Sequence, residues 1–184
     1  MKTKLLITLI FSFVVLQMSA QDSYIKNRWN IKLAYQTNIS DNSGSITNPY
    51  YHLGANFGII ENMELGVNAA YSFSALTNYK SLKYNVNYNF QILPFFIKAD
   101  DFRFDFYLTA KGGVTTDFIG EYSLTMNGTT ETVAAHRLHY FYYAFGAGAA
   151  FYPFKHVGVY GELTYEEYDM TKAWFLKYGL SVKF

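Results

Sequence analysis

The chain has 184 residues, 51% of them hydrophobic and 20% aromatic but only 16% charged, an apolar, charge-poor make-up for a soluble domain. Its formal net charge is +1, and without residues 1–20, which carry Lys2 and Lys4 and no acid, 13 basic residues stand against 14 acidic ones, so there is no basic surface for nucleic acid. The absence of cysteine excludes disulfides, a thiol nucleophile, zinc–thiolate sites and a cysteine-borne lipid anchor.

Residues 1–20 place Lys2 and Lys4 ahead of an apolar run at 5–16 and then Met18, Ser19 and Ala20 before Gln21, the layout of a secretory signal peptide that is cleaved. The run is shorter than the ~20 residues a helix needs to span a bilayer. Residues 21–184 are then one domain.

In that domain apolar and polar residues alternate in eight segments. The first, 29–37, sets Trp29, Ile31, Leu33 and Tyr35 against Asn30, Lys32, Ala34 and Gln36. A polar loop at 38–49 follows. The second, 51–59, and the third, 63–73, are joined by Ile60, Glu61 and Asn62, an odd-length link that keeps both apolar faces on one side. Asn62 is suited there to a left-handed conformation. After a loop at 76–82, the fourth segment, 84–96, puts Tyr84, Val86, Tyr88, Phe90, Ile92 and Phe96 opposite an Asn85, Asn87, Asn89, Gln91 ladder. Pro94 there fits a strand end or bulge.

The fifth segment, 102–111, and the sixth, 141–152, flank Asn127-Gly128, a strong two-residue hairpin signal. If that turn sets the register, opposed residue numbers sum to 255, and Phe104 meets Phe151, Phe106 meets Ala149, Leu108 meets Ala147 and Ala110 meets Phe145. Each pair matches apolar face with apolar face, so one long protruding hairpin is predicted, unless a bulge at Gly112-Gly113 shifts it. The seventh segment, 157–165, follows a short turn at 154–156. The loop 166–172 leads to the last, 174–184, with Trp174, Leu176, Tyr178, Leu180, Val182 and Phe184 on its apolar face.

Small residues (Gly54, Gly58, Gly66, Ala144, Gly146, Gly148) collect on the polar face, as the crowded interior of a narrow barrel requires. Bulky residues fill the apolar face, and Tyr and Trp gather near strand ends, as interfacial girdles would. Lys32, Glu64, Arg103, Asp105, Lys111, Glu162 and Lys177 all share the polar face, where they can pair as a lumen polar network; toward lipid each basic one would cost ~2–4 kcal/mol near the midplane. Arg103 and Asp105 are same-face neighbours, and a centred last hairpin sets Glu162 opposite Lys177.

A closing strand that ends on Phe184, after a chain that opens with an export signal, resembles that of the small eight-stranded outer-membrane β-barrels of the OmpX and OmpA transmembrane-domain type. The resemblance implies an all-β, eight-stranded antiparallel up-and-down transmembrane barrel with short periplasmic turns, longer extracellular loops and both termini in the periplasm. It implies a non-enzymatic surface protein of the bacterial outer membrane, concerned with adhesion, host interaction or envelope integrity. Its partners would be outer-membrane lipid or lipopolysaccharide, the barrel-assembly machinery through the closing strand and Phe184, and an extracellular protein. Residues 118–139 are the expected partner-contacting element, with Tyr122, Leu124, Met126, Asn127 and Gly128 at its tip; a free strand edge there could accept a partner strand.

No cofactor or metal is expected. His136 and His139, three apart on a strand, point to opposite faces; His156 sits in a turn. His52 faces the lumen near a rim, where a lipid A-modifying barrel would need it beside Ser72 or Ser74 and an acid such as Asp117, but the plainer reading is an inert lumen residue. Glu166, Glu167 and Asp169 could hold a hard cation, although a solvated loop is the simpler account. The alternatives in other classes are a small channel, that lipid-modifying enzyme, and a soluble lipocalin-like periplasmic carrier with the apolar face inward.

Overall fold

Every alternating segment becomes a strand of one sheet, and the sheet closes on itself. The computed structural model describes residues 26–40, 49–74, 79–96, 103–126, 129–168 and 171–184. The residues 1–20 read as a signal peptide, the Asn127-Gly128 turn and Asp169 lie outside the described residues. The strands are β1 (Trp29–Asn38), β2 (Tyr50–Ile60), β3 (Met63–Ser74), β4 (Tyr79–Gln91), β5 (Phe104–Ile119), β6 (Tyr122–Met126), β7 (Thr129–Val133), β8 (His136–Phe151), β9 (Val157–Tyr168) and β10 (Thr171–Lys183). Eight of them form a closed antiparallel barrel in the order β1-β10-β9-β8-β5-β4-β3-β2, while β6 and β7 make a separate two-stranded ribbon. The seam is sealed where Trp29 and Phe184 exchange backbone hydrogen bonds of 2.8 and 3.0 Å.

Pairing followed once round the wall from Trp29 runs through Phe57, Leu65, Tyr88, Ala110, Phe145, Tyr165 and Trp174. It returns to β1 at Ile39, ten residues further on, where the Ile39 amide donates to the Trp174 carbonyl at 2.9 Å. Such a stagger tilts the strands by about 40° and leaves an interior just wide enough for side chains.

The burial is that of a soluble protein turned inside out. Buried side chains are mostly polar, among them Asn30, Lys32, Gln36, Glu64, Asn87, Asp105, Glu162 and Lys177, while Leu33, Leu53, Val67, Val86, Leu108 and Leu180 are each at least half exposed on the outer wall. An apolar band encircling the molecule is far larger than the patches soluble monomers carry; a closed barrel of this polarity suits lipid, because no backbone donor or acceptor is left unpaired at an edge. The lipocalin-like alternative needs the opposite polarity, and the outward apolar face overturns it.

Aromatics bound the band on both sides. Toward the β6–β7 end Tyr35, Tyr51, Tyr71, Phe73, Tyr165, Trp174 and Tyr178 form ring pairs with centroids 5.4–6.5 Å apart. At the other end Trp29–Phe57, Phe90–Phe95 and Phe104–Phe151 pair at 4.7–5.5 Å. These are the two interfacial girdles of a membrane barrel.

Several boundaries differ from expectation. Where loops are expected at 76–82 and 166–172, β4 already begins at Tyr79, β9 runs on to Tyr168 and β10 begins at Thr171, because β3, β4, β9 and β10 stay paired above the aromatic girdle. There the outer face no longer needs to be apolar, so the alternation fades while the ladder continues. The fourth strand ends at Gln91, and Leu93–Phe95 form a single 3₁₀ turn carrying Pro94, which takes Phe96 out of the strand. The β2–β3 link is a two-residue turn at Glu61 and Asn62 with a register shift between Gly58 and Ile60. That bulge, not a left-handed Asn62, absorbs the odd residue: among the described non-glycine residues only Asn27 has positive φ, at 61°.

Register in the long hairpin follows the Asn127-Gly128 prediction throughout, from Phe104↔Phe151 through Gly112↔Tyr143 to Ile119↔His136. No shift occurs at the two glycines. After a break at Gly120 and Glu121 the same register resumes in the ribbon, from Tyr122↔Val133 to Met126↔Thr129.

Candidate functional site: a filled lumen and an outer ribbon

The lumen is built by the inward residues of all eight barrel strands, and its polar groups fall into three tiers. At the end away from the ribbon, Lys183 pairs with Asp105 at 2.5 Å. Beside them the Tyr152 and Ser181 hydroxyls lie 2.8 Å apart, and Ser181 donates to Asn30 at 2.6 Å.

The middle tier centres on Glu162. It accepts from Lys111 and, at 2.7 Å, from Lys177, the residue directly opposite it on β10. The Tyr107 hydroxyl donates to its other oxygen at 3.2 Å and accepts from Lys32 at 3.1 Å. Lys32 also lies 4.3 and 5.0 Å from the Tyr107 and Tyr160 ring centroids, a buried cation held by ring faces as well as by hydrogen bonds. Tyr107 occupies this space because Gly148 faces it across the sheet: a Cβ there would come within 2.7 Å of three Tyr107 ring and hydroxyl atoms.

An asparagine chain runs along the wall. Asn89 donates to Glu64 at 3.1 Å, Asn87 to Asn56 at 2.9 Å, Asn68 to Asn85 at 3.0 Å, and Asn85 to the Tyr142 hydroxyl at 2.7 Å.

The tier nearest the ribbon joins Lys83 to Glu166 at 2.7 Å, with Gln36 donating to the same carboxylate at 3.0 Å. Four rings, Tyr50, Tyr142, Tyr168 and Phe175, enclose the Lys83 ammonium with centroids 4.6–5.4 Å away. A caged ion pair thus spans the mouth.

Of the lumen residues named from sequence, Lys111, Glu162 and Lys177 meet in one cluster, Lys32 joins it through Tyr107, and Glu64 ends the asparagine chain. Asp105 sits in the lowest tier. Arg103 is elsewhere: exposed just before β5, it donates to the Pro153 carbonyl at 3.3 Å, and Asp105 turns to Lys183 instead. One residue short of the strand, Arg103 has left the alternation that would have carried it inward. Glu166 was expected in a solvated loop, but β9 runs on to Tyr168 and buries it. Lys83 and Glu166 lie just beyond the predicted inward faces, although each extends one by a step, Lys83 before Asn85 and Glu166 after Thr164, while Lys183 follows Ser181 on the polar face of the last segment and is buried with it.

His52 is buried, and neither of its ring nitrogens has a hydrogen-bond partner among the described residues; the same holds for Ser72 Oγ and for Asp117 Oδ1. Ser72 and Asp117 lie in one row with Ser81 between them, and among the described residues no hydrogen bond joins His52 to a serine. His136 and His139 each bond elsewhere, to the Ala134 carbonyl and to the Thr116 hydroxyl, and among the described residues no three His, Asp or Glu side chains cluster to hold a metal.

Beyond the barrel, the ribbon stands alone. Tyr122 and Ser123 on β6 and Thr130 and Thr132 on β7 are exposed, and neither strand pairs with a further one among the described residues. Leu124 and Met126 lie on β6.

No protein-family model matches the chain, and no curated protein matches its sequence. Solved structures do match its shape. The N-terminal β-barrel domain of Pseudomonas aeruginosa OprF is 11% identical, with a TM-score of 0.58 over 86% of this chain and 98% of that one. Ail, the attachment invasion locus protein of Yersinia pestis, is 14% identical, with a TM-score of 0.53 over 87% and 100%. Neisserial surface protein A is 12% identical, with a TM-score of 0.54 over 85% and 95%. The chain folds as a small outer-membrane-type barrel. For such a barrel the three tiers have a direct consequence: planar-bilayer recordings of the purified protein should show no stable conductance, because ion pairs and tyrosine rings occupy the lumen at every level. Long-lived ohmic steps would mean that the tiers part in the membrane.

Proposed function

We propose that this barrel resides in the bacterial outer membrane with both termini in the periplasm, and that it acts without catalysis, as a surface-interaction protein whose contact element is the β6–β7 ribbon. The observation that carries this reading is the ribbon's register: the β5–β8 pairing resumes beyond the barrel as a separate two-stranded sheet that pairs with no third strand among the described residues. An exposed edge presents unpaired amides and carbonyls and is a template for a partner strand. Tyr122, exposed on β6, offers an amphipathic anchor beside it.

A protein partner suits this element better than a sulfated glycan does. Ail has been solved with the heparin analogue sucrose octasulfate, but residues 122–133 here contain no lysine or arginine. Lipid of the outer membrane surrounds the apolar band, and β10, which closes the barrel against β1, is the strand offered to the assembly machinery.

Deleting residues 121–134 and joining β5 to β8 by a short turn should leave the boiling-dependent gel shift of a folded barrel intact while lowering binding of expressing cells to host-protein-coated surfaces at least tenfold. Unchanged binding would reject the ribbon as the contact element. Protease added to intact cells should cut within 121–135, and protection of that stretch would reverse the orientation.

A further inference from the structure

On the outer wall, directly above the tyrosine girdle, β3, β4, β5 and β8 frame an open groove of about 730 Å³. This is within the range of small-molecule sites. Its lower part is apolar, formed by Tyr71, Leu82 and Phe118, and its upper part carries Lys80, Arg137 and His136. The pairing places these groups together: Leu82 is opposite Tyr71, and Lys80, Phe118 and Arg137 follow one another across three strands.

All three polar groups are exposed, and no carboxylate lines the groove among the described residues. Neither Lys80 nor Arg137 makes an ion pair among the described residues. Arg137 is nevertheless held in place, its guanidinium 5.0 Å from the Phe118 ring centroid. A guanidinium stacked on a ring keeps its edge donors free for a planar or tetrahedral anion. His136 uses Nδ1 on the Ala134 carbonyl at 3.1 Å, which leaves Nε2 for another partner.

A site that is apolar on its membrane side and doubly cationic on its headgroup side is complementary to one class of ligand. We propose that this groove docks the phosphorylated sugar headgroup of an outer-leaflet glycolipid, with Lys80 and Arg137 on phosphate and with Tyr71, Leu82 and Phe118 against its acyl or sugar faces. The orientation proposed above bears only on which leaflet supplies the lipid. Proteolysis of intact cells reads that orientation, whereas the assay below reads the groove alone.

The test uses the full mature chain folded in non-ionic detergent, with diphosphorylated lipid A or its dephosphorylated form added and the co-purifying lipid quantified by mass spectrometry. Wild type should retain the diphosphorylated form at least tenfold better, K80Q/R137Q should lose that preference, and K155Q, which removes an exposed cation from the opposite end, should keep it. The gel shift on boiling confirms that each variant is folded, and R137Q alone, expected to lose most of the preference, serves if the double variant is not. Equal retention of both lipids by wild type, an undiminished preference in folded K80Q/R137Q or R137Q, or an equal loss in K155Q would each overturn the assignment.

Discussion

Glu162→Gln should be among the most damaging single substitutions in the barrel, costing about 3–5 kcal/mol of unfolding free energy. Glu162 is buried and shared by Lys111, Lys177 and Tyr107. The neutral amide matches its shape but leaves two ammonium groups that no other carboxylate pairs with among the described residues, and its NH₂ adds a donor where three donors already converge. Burying an unpaired charge costs far more than losing a surface attraction. Glu167→Gln is the internal comparison: its pair with Lys172 is 3.3 Å long, with side-chain exposures of 21% and 57%, and such pairs contribute less than ~1 kcal/mol. Urea titration of both variants in liposomes checks the contrast. A cost below ~1 kcal/mol for Glu162→Gln would mean that water reaches the middle tier and solvates the lysines.

The second large effect is expected on the opposite face of the wall. Val67 points outward from β3 between Ala55 and Val86, is 60% exposed, and lies four residues short of the girdle residue Tyr71. In lipid, Val67→Arg should cost ~2–4 kcal/mol, and Leu82→Arg, at the girdle opposite Tyr71, only ~0–1. The depth dependence is the informative part, because a wall facing water would show neither a large cost nor a gradient. Equal and small costs at both positions in liposome unfolding would refute a membrane-facing wall.

Much of this was legible in the sequence because a barrel wall is solvated differently on its two sides and a strand presents its residues alternately to each. Where lipid lies outside, the alternation is strict, and the strands from Trp29 to Val182 could be placed from it. The register read from the Asn127-Gly128 signal, opposed numbers summing to 255, holds over sixteen consecutive β5–β8 pairs, because a one-residue slip would turn every apolar side chain to the other face. The Glu162–Lys177 contact follows from the same logic, two inward residues opposite each other in a centred hairpin.

What the sequence alone could not determine begins where that alternation stops. Above the girdle both faces meet water, so β3, β4, β9 and β10 continue past the point at which Leu82 or Glu166 marks a change of side, and the burial of Lys83 with Glu166 emerges only from the closed sheet. Partners within the lumen depend on the ten-residue stagger, which brings residues from strands that are not neighbours together: Lys83 on β4 meets Glu166 on β9 across 83 positions and Lys111 on β5 meets Glu162 on β9 across 51. Asp105 illustrates the consequence, since its sequence neighbour Arg103 stays outside and Lys183, three strands away on β10, takes its place. Strand identity and facing were local properties of the chain; which charge neutralises which was decided by closure, because only the tilted barrel sets the distance between side chains that meet across its axis.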